Sequence, residues 1–161
     1  MKISKVTTFL LALSLFAVLI ASASITPAQA ESKQGKEPMG FSQEKATHHF
    51  YLLKNGGAVE ISAKDPNDAA TVKAIQQHLE MQAKAFEKGN FDTPIQVHGK
   101  VPDGVPILKK LRKEITFESR QTDTGAVLRM FSINAQAKQA IHDFMKFQIT
   151  EHNTGDSMVV E

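Results

Sequence analysis

The histidines are the residues of this chain most able to do chemistry, because its 161 residues include six histidines and no cysteine. Without thiolates, any metal site must be built from His, Met, Asp or Glu, which excludes thiolate zinc sites and iron–sulfur clusters. Neutral imidazoles are ligands that copper and zinc accept well. The sequence therefore predicts a copper or zinc site drawn from five residues: His48, His49, His78, His98 and His152.

Two of these histidines are adjacent at the start of a predicted β-hairpin. The turn is predicted at residues 55–56, an Asn-Gly pair, which pairs Leu52 with Val59. Successive side chains of a strand point to opposite faces, so His48 is expected on the core face and His49 on the open face. At most one of the two can then join a given site.

The other histidines lie on predicted helices or in the connection between them. His78 is at the edge of an apolar helical stripe, His98 follows an apolar pair in the connection, and His152 ends the last helix. His142 is expected on the solvent flank of that helix and is given less weight. Met81, three residues after His78, is either a soft ligand for reduced copper or a core-filling residue.

Sequence signatures of catalysis are absent from the chain. It has no nucleophile elbow, no H-E-x-x-H, no phosphate loop and no glycine-rich dinucleotide turn. A protein that is not an enzyme is therefore favoured. A His–Asp acid–base pair in a cleft between the helices stays open as an alternative.

Residues 1–30 have the pattern of a secretory signal peptide. Lys2 and Lys5 precede an apolar run, and a small-x-small cleavage site follows at residues 28–30. A single membrane anchor is the less favoured alternative, because the apolar run is short and ends at a cleavage site. The sequence predicts an exported bacterial protein, periplasmic or extracellular, with no membrane attachment after cleavage.

The charge of the predicted mature chain is balanced. Removing Lys2 and Lys5 from the 19 basic residues leaves 17, which equals the 17 acidic residues. A formal net charge of zero gives no electrostatic basis for binding nucleic acid.

One domain is predicted at residues 46–153, between a disordered linker at 31–45 and a flexible tail at 154–161. Two hairpins turn at "NGG" and "TDTG", and a long helix follows each hairpin, with Asp68 and Asn134 as the expected caps of the two helices. The connection between the two halves contains a short helix at "PILKKLRK". The stretch "IQVH" before it is predicted as an irregular strand.

The two halves share a pattern that predicts a duplicated α+β fold. Residues 57–59 match 125–127, and Gln82 matches Gln148 on the helical stripes. We expect two ββα units that form a four-stranded antiparallel sheet with both long helices on one face. Chance similarity is the alternative. The two glutamines either pack with their amides at a rim or form buried, bonded amides near the pseudo-two-fold axis.

Four stretches of the chain resemble a family of small exported bacterial proteins that has no assigned function. They are "THHFYLLKNGGAVEI", "HLEMQAKAFEKGNFDTPIQVHG", "VPDGVPILKKL" and "AIHDFMKFQITEHNTGD", and together they span residues 46–156. The family pattern, HHF…GG…HL…GxF…H…HxTGD, includes the five predicted metal residues. The resemblance implies that these histidines matter and implies no activity.

Two functions from different classes follow from the sequence. The leading hypothesis is an exported, non-catalytic metal-binding protein that stores, delivers or senses copper or zinc. The alternative is an envelope interaction or dimerisation domain that uses the open sheet face, with Tyr51, Leu53 and Ala58 as contact residues.

Overall fold

A computed structural model describes residues 39–161 and confirms the α+β class. The first half contains β1 (Ala46–Leu53), β2 (Gly56–Ala63) and the long helix α1 (Ala69–Glu87). The crossover contains two short helices, α2 (Asp92–His98) and α3 (Val105–Leu111). The second half contains β3 (Thr116–Thr122), β4 (Gly125–Phe131) and the long helix α4 (Ala135–His152).

The four strands form one antiparallel sheet in the order β1-β2-β4-β3. This order places the two hairpins side by side about a pseudo-two-fold axis between β2 and β4. Equivalent hydrogen bonds join the hairpins on both sides of the axis. Ala63 N–H donates to the Thr124 carbonyl at 2.8 Å, and Ser132 N–H donates to the Asn55 carbonyl at 3.0 Å.

The structural repeat is shifted by one residue from the predicted alignment of the strands. Leu53 pairs with Gly56 across the first hairpin and Thr122 pairs with Gly125 across the second, so Gly56 is the residue equivalent to Gly125. The predicted match of residues 57–59 with 125–127 is therefore wrong. A slip of one residue would equate a core-facing residue with one on the open face.

The turn of the first hairpin lies one residue earlier than predicted, and the pairing of the two strands shifts by two residues as a result. Leu53 pairs with Gly56, so the turn residues are Lys54 and Asn55. Gly56 has a φ of 155° and approaches β4 so closely that a Cβ atom would collide with the Met130 carbonyl. Because the shift is by two residues, each side chain keeps its predicted face, and His48 and His49 point to opposite sides.

Both long helices begin at the predicted caps. The Asp68 carboxylate accepts a hydrogen bond from Thr71 N–H at 3.0 Å, and the Asn134 side chain accepts from Ala137 N–H at 3.1 Å. The helices cover one face of the sheet, with α1 chiefly on β3 and β4 and α4 chiefly on β1 and β2. Each half therefore packs its helix on the other half's hairpin, which makes the two halves one core.

The first part of the crossover differs from the prediction. "IQVH" lies in helix α2 rather than in an irregular strand. Pro94 occupies the first turn, where its missing N–H removes no helical hydrogen bond, and Gly99, at a φ of 67°, ends the helix. The short helix predicted at "PILKKLRK" is present as α3.

The folded part begins earlier than predicted. Met39 and Phe41 are buried, although residues 31–45 were expected to be a disordered linker. The predicted signal peptide and the linker residues 31–38 lie outside the described residues. No helix among the described ones is long and apolar enough to cross a membrane.

The C-terminal residues, expected to be a flexible tail, lie along the outer edge of β1. The Asp156 carboxylate accepts from Phe50 N–H at 2.8 Å. Glu161 N–H donates to the Leu52 carbonyl at 2.9 Å, and Lys54 N–H donates to the Glu161 carbonyl at 3.0 Å. These bonds satisfy backbone groups that an edge strand otherwise leaves open.

Candidate functional site

A cavity of about 70 Å³ lies on the helix-covered face of the sheet, between α1 and α4 and beneath α2. Its walls are mainly apolar, and its polar lining consists mostly of histidine and glutamine side chains. The lining residues used below are His48 on β1, His78 and Gln82 on α1, His98 on α2, and Gln148 and His152 on α4.

Three of the predicted histidines contact one another beside this cavity. The rings of His48 and His152 are stacked, with their centroids 5.1 Å apart and their planes 15° apart. The ring of His98 meets His152 edge-on, at 5.0 Å and 88°. Three imidazoles from a strand, a short helix and a long helix therefore form one cluster, which we call the imidazole cluster.

His78 reaches the same cavity from the α1 side. The Phe41 ring contacts both this histidine and the cluster, since it lies edge-on to His78 at 5.5 Å and faces His48 at 6.2 Å. Met39, two residues before Phe41, lines the cavity. The N-terminal segment therefore closes the side of the cavity between β1 and α1.

The remaining candidates lie elsewhere. His49 is on the open face, where its Nδ1 lies 2.8 Å from the Asp156 carboxylate. His142 donates from Nε2 to the Leu53 carbonyl at 2.9 Å and so ties α4 to β1. Met81 is 61% exposed and neither fills the core nor faces the cavity.

Burial keeps three of the four cavity histidines neutral. Desolvation, and then the neighbouring His78, lower the pKa of His48 to about 4. Desolvation lowers the pKa of His78 to about 4. Desolvation and the neighbouring His48 and His98 lower the pKa of His152 to about 3. These three rings therefore carry no charge at neutral pH, and each keeps one nitrogen lone pair.

The two glutamines of the repeat flank the cavity but have different environments. The Oε1 atom of Gln148 accepts a hydrogen bond from His98 Nε2 at 3.0 Å. The Oε1 atom of Gln82 is buried without a hydrogen-bond partner, and so is Nε2 of His48. A buried polar atom without a partner is destabilising, so these two atoms mark the polar side of the cavity.

The stacked arrangement does not itself form a coordination sphere. Across residues 39–161, no three His, Asp or Glu side chains are positioned to hold a metal ion. Parallel stacked rings direct their nitrogen lone pairs into separate planes, so His48 or His152 must turn before both can face one point.

The cavity walls include residues that the sequence did not indicate as part of a site. Met39 fell in the predicted linker, Val97 fell in the stretch predicted as an irregular strand, and Thr93 and Pro94 fell in the connection before it. The available signal was the presence of two large apolar residues in an otherwise polar stretch at 39–41.

The open sheet face is mostly polar. His49 contacts Asp156, and the Tyr51 hydroxyl donates to Glu60 at 3.0 Å. This composition gives the predicted contact surface little exposed apolar area, since Ala58 is buried and Leu53 is half-buried.

Comparison with known proteins adds no relative. No protein-family model, curated protein or solved structure matches the chain.

Proposed function

We propose that this chain binds a copper or zinc ion in the cavity, through the imidazoles of His48, His98 and His152. The observation that carries the proposal is the contact of these three rings beside one cavity. Three nitrogen ligands with water in a further position is a common environment for both metals.

The neutrality of the His48 and His152 rings supports this proposal. A metal ion binds the lone pair of a neutral imidazole and competes with a proton for it. The pKa values of about 4 for His48 and about 3 for His152 remove that competition at neutral pH. The same values make these rings weak bases, which disfavours a role in proton abstraction near pH 7.

The unpaired polar atoms are a second line of support. A histidine that serves only to pack a core is usually hydrogen-bonded, because an unpaired buried acceptor destabilises a fold by about 1–3 kcal/mol. His48 Nε2 has no such partner. Coordination of a cation would give this nitrogen a partner.

The size of the cavity favours an ion over an organic ligand. Its volume of about 70 Å³ holds several water molecules, since one water needs roughly 10–15 Å³ on the same measure. A cavity that binds benzene is about 150 Å³. An ion with one or two bound waters fits once the stacked rings turn toward it.

The bond between His98 and Gln148 fits a supporting role for this glutamine. Metal-bound histidines usually donate their other ring N–H to a carbonyl or carboxylate group, which fixes the orientation of the ring. Gln148 Oε1 accepts such a bond from His98 Nε2. The biological role that we propose is storage, delivery or sensing of the ion by an exported protein.

The test is calorimetric titration of Cu(II) and Zn(II) into the chain purified from residue 31 onward, which contains every described residue. We expect binding tighter than about 1 μM for at least one ion. His48→Gln is expected to weaken it at least about tenfold. His49→Gln is the matched control, since the neighbouring histidine lies on the opposite sheet face and its loss should leave affinity unchanged. Weaker binding than this for both ions, or equal losses in the two variants, would contradict the proposal.

The pH dependence of the affinity gives an independent test. An exposed histidine site loses metal affinity as the pH falls below about 6.5, where ordinary imidazoles take up protons. The low pKa values of His48 and His152 delay this loss at those two ligands until about pH 4. We expect the dissociation constant to rise by less than about tenfold between pH 7 and 5.5, a limit that allows for proton competition at the third ligand, His98. A steep loss centred near pH 6.5 would indicate exposed ligands outside the cavity.

A further inference from the structure

The two edges of the sheet are equivalent under the pseudo-two-fold axis but differ in what covers them. The outer edge of β1 is covered by the C-terminal residues, which bond Phe50, Leu52 and Lys54. No segment between residues 39 and 161 pairs with the outer edge of β3. The strand contains neither proline nor lysine, and its pairing with β4 is unbroken over seven residues, so neither a proline nor a bulge blocks its edge.

The repeat identifies which backbone groups of β3 point outward. On β1, Phe50 N–H and the Leu52 carbonyl point away from β2, toward the C-terminal residues. Gly56 is equivalent to Gly125, and this relation makes Ser119 and Gln121 the counterparts of Phe50 and Leu52. The backbone groups of Ser119 and Gln121 are therefore directed to the open edge, where an antiparallel partner strand can bond them.

The side chains of β3 are complementary to themselves about Ser119. Glu118 and Arg120 are both exposed, on the open face, one residue on each side of Ser119. If two copies of β3 run antiparallel with Ser119 opposite Ser119, each Glu118 faces the Arg120 of the other copy. Opposite charges in directly facing positions stabilise a strand pair, and a two-fold axis forms this pair twice.

The covering helix leaves room for such a pair. Helix α1 contacts both β3 and β4, and Gln76 on α1 donates to the Thr122 carbonyl at 3.0 Å. Strands lie about 4.8 Å apart, so a helix midway between β3 and β4 would lie roughly 10 Å from its symmetry mate. That separation is at the upper end of the ordinary interaxial distance of about 8–10 Å for packed helices.

We propose that β3 is a homodimer interface, where two copies of this chain join into a continuous eight-stranded antiparallel sheet. A second copy is the occupant that fits best, because the charge pattern of the edge is complementary to itself. The proposal is independent of metal binding, because the imidazole cluster lies on the other half of the sheet.

The test exchanges charges across the proposed two-fold axis and measures mass by light scattering and sedimentation. The chain from residue 31 onward should be a dimer. Glu118→Arg and Arg120→Glu should each raise the dimer dissociation constant at least about tenfold, because two attractive pairs become repulsive. An equimolar mixture of the two variants should restore the dimer, since each repulsive edge then meets its complement. Lys146→Glu on α4 is the control, with the same charge change as Arg120→Glu at a position away from β3.

A second variant distinguishes loss of the pairing between two β3 strands from loss of the monomer fold. Ser119→Pro removes an outward N–H without removing a bond to β4, so it should yield a folded monomer, checked by circular dichroism. A monomer at every concentration of the unaltered chain would overturn the proposal. So would a dimer whose dissociation constant neither charge variant changes.

Discussion

At the scale of single residues, the adjacent pair His48 and His49 shows how strand geometry divides chemistry between two faces. His48 lies in the imidazole cluster, whereas His49 contacts Asp156 on the open face. Because the side-chain period of a strand is two, identical neighbouring residues have different surroundings. This separation makes them a matched pair for mutagenesis.

The buried histidines should make the stability of the apo protein depend on pH. The folded pKa values of His48, His78 and His152 are about 4, 4 and 3, against an ordinary value of 6.5. The unfolded chain therefore binds more protons below pH 6.5, and the free energy of unfolding should fall as pH is lowered from 6.5 toward 4. Each histidine contributes a slope of up to about 1.4 kcal/mol per pH unit.

Urea denaturation at several pH values, with a chelator present, measures this slope. His78→Phe removes one buried imidazole and keeps a ring beside Phe41. We expect the variant to have a slope smaller by roughly 1 kcal/mol per pH unit. An unchanged slope would show that His78 takes up no proton on unfolding.

The two glutamines of the repeat should respond oppositely to the same substitution. Gln82→Leu removes an unpaired buried oxygen, so the free energy of unfolding should stay the same or rise by up to about 1 kcal/mol. Gln148→Leu removes the acceptor for His98 Nε2 and should lower the free energy of unfolding by about 1–3 kcal/mol. Denaturant unfolding of both variants at pH 7 without metal gives the comparison. Equal effects would contradict the difference in their environments.

At the scale of elements, the site depends on how closely α4 approaches the first hairpin. Gly57 lies beneath α4, where an added Cβ atom would be 2.7 Å from Met145 Cγ and 3.1 Å from Ile141 Cγ2. His142 holds the same helix to Leu53 by a hydrogen bond. The absence of a side chain at residue 57 therefore permits the packing that brings His152 to His48.

Gly57→Ala should test this close approach. We expect the free energy of unfolding to fall by about 1–3 kcal/mol, because the new methyl group overpacks the helix contact. Met145→Ala alone should cost about 2–5 kcal/mol, since it leaves a cavity. The double variant should lose less than the sum of the two, because truncated Met145 makes room for the methyl group. Strict additivity in denaturant unfolding would show that the two side chains do not meet.

At the scale of the whole molecule, two sets of long-range contacts hold distant parts of the chain together. Helices α1 and α4 each pack on the other half's hairpin, and the C-terminal residues return to the edge of β1. The first arrangement encloses the cavity between the halves. The second covers one of the two sheet edges and leaves β3 as the open one.

Deletion of residues 156–161 should free the edge of β1. The loss of the bonds to Phe50, Leu52 and Lys54 leaves two open edges, so chains can add on both sides and growth has no fixed end. Light scattering should show species larger than a dimer that increase with concentration. Asp156→Asn, which keeps the bonds at Glu161, is the control and should not form such species. A truncated chain no larger than the full-length one would contradict this role of the tail.

The sequence by itself determined the strands and the two long helices, because these elements depend on short-range interactions. Alternating strands, apolar helical stripes and the caps Asp68 and Asn134 depend on neighbours within a few residues, and the structure places them as predicted. The side of the sheet that each of His48 and His49 faces follows from the same short-range periodicity.

Long-range contacts were decided only by the tertiary structure. The imidazole cluster joins opposite ends of the domain, and residues 39–41 and 154–161 fold because they bury apolar side chains or bond an exposed edge. The apolar residues Met39 and Phe41 are visible in the sequence, but the distant residues that bury them, and the strand edge that the tail bonds, are not. The sequence also did not determine which residues of the two hairpins are equivalent. The turn preference of Asn-Gly does not set this alignment, whereas the close approach of the Gly56 backbone to β4 does.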